Sequence, residues 1–191
     1  MKNQAGTNSS DKILAAATKI AQAHGYGGLN IRNLAADVGI KAASIYHHFP
    51  SKADLAEAVA KRYWQDSAAV LEGLWTELSD PLHCLRQYPN TFRKSLESDN
   101  RMCLCSFMAA EFDDLPEAVK KEVQTFADVN VAWLGKVLSA AAVVTSEESE
   151  RRARAIFAAV AGAQLVARSR SDLSLFDALI ESYRAAGLIP A

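Results

Sequence analysis

The stretch LNIRNLAADVGIKAASIYHHFPSKADL, Leu29 to Leu55, decides the fold. Asn30 stands where a side-chain oxygen can cap a helix, and Ile31, Leu34, Ala35 and Val38 then follow the i, i+3, i+4, i+7 spacing of one apolar face. Gly39 supplies the residue that stops such a helix. After the tight turn Gly39-Ile40-Lys41, a second short helix is predicted to bury Ala42, Ile45 and Phe49 and to close at Pro50. Ser51 caps a long helix with Asp54 in its first turn, where the helix dipole favours negative charge, running through Leu55, Ala58, Val59 and Arg62 towards Trp75. Upstream, Ile13, Leu14, Ala17, Ile20, Ala21 and His24 recur at helical spacing behind the candidate caps Ser9, Ser10 and Asp11, and Gly25, Gly27 and Gly28 end that run. The opening MKNQAGTNSSDK is polar, lacks the apolar centre of a secretory signal and reads as a loose arm.

Beyond this region Pro81, Pro116 and Pro190 fall near helix starts or the chain end, and five further helices are predicted. They cover about Pro81 to Ser98, Arg101 to Phe112, Pro116 to Ala142, Ser146 to Ser169 and Asp172 to Ala186. Ser146 (with Ser149 and Glu150 nearby) and Asp172 are the expected caps of the last two, Gly187 the stop, and Pro89 is expected to kink or break its helix. The chain is 191 residues, 50% hydrophobic, with only nine Gly and five Pro, so an all-α protein of about nine helices with a real core is expected. The longest uncharged stretch, Ala155 to Ala167, is far short of the roughly 20 apolar residues of a membrane-spanning helix, so no membrane partner is expected. Three cysteines make a disulfide framework improbable and a reducing cytoplasm the default.

The net charge of −1 taken over the whole chain argues against a polyanionic partner, but it conceals a split. Met1 to Trp64 holds eight basic and four acidic side chains, net +4, and the remainder is net −5. A basic head on an acidic body points to an anionic partner for the head alone. Two short helices joined by a tight Gly turn in a basic region are the cue for helix-turn-helix binding to double-stranded DNA. The outer positions of the second helix carry hydroxyl, phenol and imidazole groups, which engage phosphates and base edges.

This run resembles the DNA-binding signature of TetR/AcrR-type regulators, on Gly39, Tyr46, His48, Phe49, Ser51 and Lys52, over Ile13 to about Val59. The resemblance implies a three-helix head in residues 1–50, a linking helix over 51–78, and an effector-binding and dimerisation domain over 51–191. It implies that Asn30, Arg32, Ser44, Tyr46, His48 and Lys52 meet the DNA backbone or its margin, and that Lys41, Ala42, Ala43, Ser44 and His47 face base edges. Where the family often has a small polar residue followed by Lys-Gly, this chain has Lys41-Ala42-Ala43, an unusual cap whose two methyls offer thymine contacts but no hydrogen bonds. Phe49 is read as core. His47 and His48 are about 100° apart on a helix, unlike i, i+4 zinc pairs, so no metal is expected.

Family members use the second domain to dimerise and to enclose a small-molecule effector. For a homodimer interface on a near-palindromic operator, Ala161 and Gly162 allow close approach, and Phe157, Val160, Leu165, Phe176, Leu179, Ile180 and Tyr183 supply apolar area; the same residues would serve as intrachain core. For the effector pocket, RMCLCSFMAAEFDDLP from Arg101 offers Met102, Cys103, Cys105, Phe107 and Met108, and Trp75, Phe92, Phe126 and Trp133 would close an apolar chamber. If Asn100 caps the helix that follows, Cys103 lies in its first turn beside Arg101, where dipole and cation favour the thiolate. The segment also resembles electrophile-responsive members of the family. No Gly-rich phosphate loop, zinc spacing or Ser/His/Asp arrangement stands out, so neither enzyme nor cofactor is expected. The reading is a DNA-binding regulator, expected to be a repressor released by an apolar or electrophilic effector. The competing readings are a thiol-dependent redox protein or small helical enzyme using Cys103, Cys105 or His83, and a helical adaptor that ignores DNA.

Overall fold

In the computed structural model the backbone is described from residue 3 to residue 191, and side chains from residue 9 onward with Ser146 excepted. Among the described residues there are nine α-helices and no strand: α1 (Asn3–His24), α2 (Ile31–Val38), α3 (Ala42–His48), α4 (Lys52–Leu78), α5 (Pro81–Glu97), α6 (Leu104–Ala110), α7 (Glu117–Ala140), α8 (Ser146–Arg170) and α9 (Leu173–Ala185). A 3-10 turn spans Phe112–Asp114. None of these helices is long and apolar enough to cross a membrane. The chain packs as two units, one reaching to Trp64 and including Leu104–Gln124, the other formed by Gln65–Cys103 and Thr125–Ala191.

In the first unit α1, α2 and α3 pack on one another, and α6 packs on α1. Its core holds Ile13, Ala17 and Ala21 of α1, Leu34 of α2, Ile45 of α3 and Leu55 and Val59 of α4, all fully buried. The apolar spacing of the sequence therefore maps onto the inner faces. Asn30 caps α2 by accepting the amides of Arg32 (2.9 Å) and Asn33 (3.2 Å), and Gly39 ends it in the left-handed conformation at φ +74°. Ser51 Oγ accepts the Asp54 amide (3.2 Å) and donates to the Asp54 carboxylate (2.7 Å), a reciprocal cap for α4. Helix α1 begins earlier than expected, at Asn3, so the opening segment is helical from there and Ser9, Ser10 and Asp11 lie inside a helix; Met1 and Lys2 lie outside the described residues. Asp11, inside the helix and so unable to cap it, pairs its carboxylate with Arg62 of α4 at 2.5 Å. Ala42, expected in the core, is only half-buried.

In the second unit α8 packs on α5 and α9, and α5 on α9. Arg93 of α5 grips the Asp177 carboxylate of α9 through Nε (2.8 Å) and Nη2 (2.9 Å), which holds that carboxyl below its usual range. Asp172 caps α9 as expected, accepting from Ser174 and Leu175. The cap of α8 is Thr145, not Ser146: its hydroxyl accepts the Glu148 amide (3.3 Å) and donates to the Glu148 carboxylate (3.0 Å). Pro89 does not break α5, which runs through it. Carbonyls around the proline find side-chain donors, Thr91 Oγ1 on Tyr88 O (2.7 Å) and Arg184 Nη2 on Arg86 O (3.0 Å). The cap expected from Asn100 is also absent. Asp99 and Asn100 adopt left-handed φ of 58° and 52°, and the Asn100 amide is spent on Arg168 O (3.1 Å) and Ser171 Oγ (3.0 Å). Helix α6 accordingly starts at Leu104, and Cys103 lies before it.

Two glycines distinguish backbone strain from steric exclusion. Gly39 needs positive φ but faces open space, whereas a Cβ on Gly25 (φ +66°) would fall 2.1 Å from the Glu111 carboxylate. Gly39→Ala is expected to cost about 1–2 kcal/mol from the left-handed backbone alone. Gly25→Ala is expected to cost measurably more, because it also displaces Glu111. Thermal melts of both variants check the order, and equal losses would show that the Glu111 contact contributes nothing.

Candidate nucleic-acid interface

The inner face of α3 is committed to packing by Ile45 (0% exposed), and Phe49 at its C-terminal cap is 8% exposed. Its other face is open. Lys41, Ala43, Ser44, Tyr46 and His47 are exposed, Tyr46 at 49%, while Ala42 and His48 are half-buried. The two histidine rings meet edge to face at 5.5 Å in the last turn, and among the described residues no cluster suited to a metal ion occurs. Lys41 occupies the N-cap of α3 in extended conformation and makes no side-chain cap bond, as its residue type requires. Arg32 of α2 is exposed beside this face in sequence, and Asn30 presents an exposed side chain whose oxygen is occupied by capping.

Lys52, at the start of α4, is held rather than loose. Its ammonium lies 4.3 Å from the centre of the Tyr26 ring and 3.5 Å from the Gly27 carbonyl. The loop it grips, Gly25-Tyr26-Gly27-Gly28, is fixed on its other side by a residue that the sequence reading missed. Glu111, at the end of α6, accepts the Tyr26 amide at 2.6 Å and the Gly27 amide at 3.0 Å, one on each carboxylate oxygen. Successive loop amides converging on an anion form a backbone nest, here filled from within the chain. A second carboxylate, Glu122 of α7, accepts the Trp64 indole N–H of α4 at 2.6 Å. Both ties span sequence separations of 58 or more residues, so helical periodicity carries no signal for them; the glycine-rich loop was the only local hint.

The residues expected to enclose an effector are placed as follows. In the second unit Phe92, Met102, Cys103, Phe126 and Trp133 are buried, and Trp75 is half-buried. Phe92, Phe126 and Phe157 pack mutually at 6.1–6.5 Å, and Tyr88 stacks on Trp133 at 5.9 Å. In the first unit Cys105 and Met108 are buried and Phe107 is half-buried. The three cysteines form no disulfide, and each is no more than 2% exposed. The aromatic interior of the second unit carries a polar thread the sequence reading did not foresee. Tyr88 Oη donates to Asn130 Oδ1 (2.9 Å), and Gln164 (0% exposed) donates to Phe92 O (2.6 Å) while accepting the Cys103 amide (2.9 Å). Burial, with the neighbouring Cys103 thiol, pushes the Tyr88 phenol well up. Of the expected dimer residues, Val160, Phe176 and Ile180 are buried within the unit, Phe157, Ala161, Leu179 and Tyr183 are half-buried, and Gly162 and Leu165 are exposed, Leu165 at 54%.

A buttressed helix-turn-helix with one open polar face defines a DNA-binding transcriptional regulator. The family model for bacterial regulatory proteins of the tetR family matches residues 13–59. A TetR-family transcriptional regulator from Agrobacterium tumefaciens is 31% identical, with a TM-score of 0.84 over 91% of this chain and 94% of that one. A TetR regulator from Legionella pneumophila is 28% identical, with a TM-score of 0.87 over 97% and 98%. The reduced form of E. coli NemR, 19% identical, shares the fold at a TM-score of 0.82 over 93% and 96%. No curated protein sequence matches the chain. The chain belongs to the TetR family of transcriptional regulators.

Glu111→Ala is expected to free two loop amides, lower stability by about 0.5–1.5 kcal/mol and weaken DNA binding while helix content is retained. Glu111→Gln, which keeps one acceptor oxygen, is expected to fall between. Melting curves and gel shifts on the same preparations check this; an alanine variant with unchanged affinity and melting would remove the nest from the account.

Proposed function

We propose that the chain is a bacterial cytoplasmic repressor that binds a near-palindromic duplex operator as a homodimer and is released by a small apolar effector held in its second domain. The reading rests chiefly on α3, whose Ile45 anchors the helix while Lys41, Ala43, Ser44, Tyr46 and His47 stay open. Residues 1–50 act as the reading head, α4 as the link, and residues 51–191 as the effector and dimer domain. Lys41 and His47, with Ala42, Ala43 and Ser44, face base edges; Asn30, Arg32, Tyr46, His48 and Lys52 meet phosphates. The two Ala methyls read thymine, so hydrogen-bonded base selection falls on Lys41, Ser44 and His47. A net +4 head keeps enough positive charge for phosphates, and the −5 remainder limits non-specific adhesion.

The exposed side of α8 supports the dimer. Ala158 and Gly162 allow close helix approach beside Leu165 (54% exposed) and Val166 (44%), and Leu179 and Tyr183 of α9 are half-buried, whereas Val160, Phe176 and Ile180 are already spent on the unit's own core. Leu165→Glu is expected to shift the protein from dimer to monomer in sedimentation and to abolish cooperative operator binding. A dimer that survives it would place the interface elsewhere.

The reading is tested by gel shift against the chain's own upstream DNA. Tyr46→Ala and Lys52→Ala are expected to weaken binding with the fold intact, and Lys52→Ala to reduce the salt slope by about one. An absence of salt-sensitive binding to any DNA sinks the reading in favour of an adaptor. Burial of all three thiols disfavours an electrophile sensor or redox protein. N-ethylmaleimide is therefore expected to leave DNA bound, in the native chain and in Cys103→Ser alike. Release of the native complex alone would establish Cys103 as a sensor.

A further inference from the structure

Lys52 opens α4, at the end of a helix where the dipole opposes a cation, so the helix gains nothing from a lysine there. Two groups of partial negative charge face its ammonium instead. The centre of the Tyr26 ring lies 4.3 Å away and the Gly27 carbonyl oxygen 3.5 Å away. Both belong to one loop, and Glu111 fixes that loop from its other side through the Tyr26 and Gly27 backbone amides. Among the described residues no carboxylate pairs with Lys52. The cation is therefore oriented without being neutralised. An ammonium has three N–H donors, so one carbonyl and a ring face leave donors over. Tyr26 and Lys52 are both half-buried, which keeps the pair in reach of solvent. Lys41, ahead of α3, is exposed and makes no side-chain cap bond.

We propose that Tyr26 is a positioning residue for DNA binding: its ring, together with the Gly27 carbonyl, fixes the Lys52 side chain in advance and leaves the ammonium free to meet a backbone phosphate. The inference rests on the reading above in which Lys52 meets DNA, and adds to it a residue that acts through Lys52. A lysine side chain has much rotamer freedom to lose when a ligand fixes it. Where the fold has already fixed the side chain, that loss does not fall on binding. The ring face makes the contact, so the phenol hydroxyl is not needed for it. The Tyr26 backbone amide, bonded to Glu111 at 2.6 Å, is the same whatever side chain stands there, so exchanging the side chain leaves the loop's tie to Glu111 in place.

The test titrates full-length protein into a labelled duplex of the chain's own upstream DNA, by fluorescence anisotropy at several salt concentrations. Tyr26→Phe, which keeps the ring, is expected to bind like the native chain. Tyr26→Leu is expected to bind about three- to tenfold more weakly, the effect of ordering one long side chain on binding. Its salt slope is expected to stay unchanged, because Lys52 still reaches the phosphate. Lys52→Ala is expected to lower the slope by about one, and Tyr26→Leu added to it to weaken binding no further. Added to Lys41→Ala, Tyr26→Leu is expected to keep its full effect. A tyrosine that only supported the fold would weaken both backgrounds alike. NMR reads the arrangement directly: the ring is expected to shift the Lys52 Cε protons upfield in the native chain and in Tyr26→Phe, a measurement that stands even if Tyr26→Leu proves unstable. Unshifted Lys52 protons in the native chain, native-like binding by Tyr26→Leu, weak binding by Tyr26→Phe, or equal losses in the two lysine backgrounds overturns the assignment and leaves the DNA reading standing. A native chain that binds no DNA overturns that reading, and the role of Tyr26 with it.

Discussion

Two backbone amides, those of Tyr26 and Gly27, leave the end of α1 with no helix to receive them, and the Glu111 carboxylate satisfies both. A carboxylate that accepts two loop amides makes charge-assisted bonds stronger than neutral ones, so the loop has reason to keep this arrangement. Much follows from it. The path of the loop sets where α2 starts, and Asn30 and Gly39 then fix its length. The same loop offers its Gly27 carbonyl and Tyr26 ring to Lys52, which ties down the first turn of α4. Gly25 is required twice over, by its positive φ and by the carboxylate that occupies the space of a side chain. Helix α6 thereby belongs to the packing of the first unit, although residues 65–103, which belong to the second, come before it in the chain.

Gln164 does the corresponding work in the second unit. Its amide is fully buried, and it joins α8 to the Phe92 carbonyl of α5 and to the Cys103 amide in the non-helical segment before α6. A buried amide satisfied at both ends strengthens a particular packing rather than adding generic stability, because no apolar replacement reproduces the pair of contacts. Leu104 follows Cys103 directly in the chain. The segment held by Gln164 therefore leads directly into α6, whose last residue, Ala110, precedes Glu111.

What was legible in the sequence was what is local. Asn30, Gly39, Ser51 and Asp172 act on amides or carbonyls within a few residues, and each terminates or caps the helix its position implied. The inward set Ile13, Ala17, Leu34, Ile45 and Leu55 followed from helical periodicity. Errors arose where a residue had a distant competitor for its side chain. Asp11, inside α1, pairs with Arg62, and Asn100 turns to Arg168 and Ser171 instead of capping α6. Pro89 takes away the amide that would reach Leu85 O, and the helix runs through it on a buried face that packs on α8 and α9. Glu111, Glu122 and Gln164 were invisible for the same reason: each makes its decisive bond to a residue at least 58 positions away.

The division of α3 into an anchored side and an open side carries an evolutionary consequence. Ile45 and the flanking Phe49 hold the helix in the core, and the exposed side chains of Lys41, Ala43, Ser44 and His47 lie outside that core. Substitutions at the open positions are therefore almost free of folding penalty, and a duplicated copy of this chain can explore new recognition surfaces one residue at a time while its scaffold stays under purifying selection.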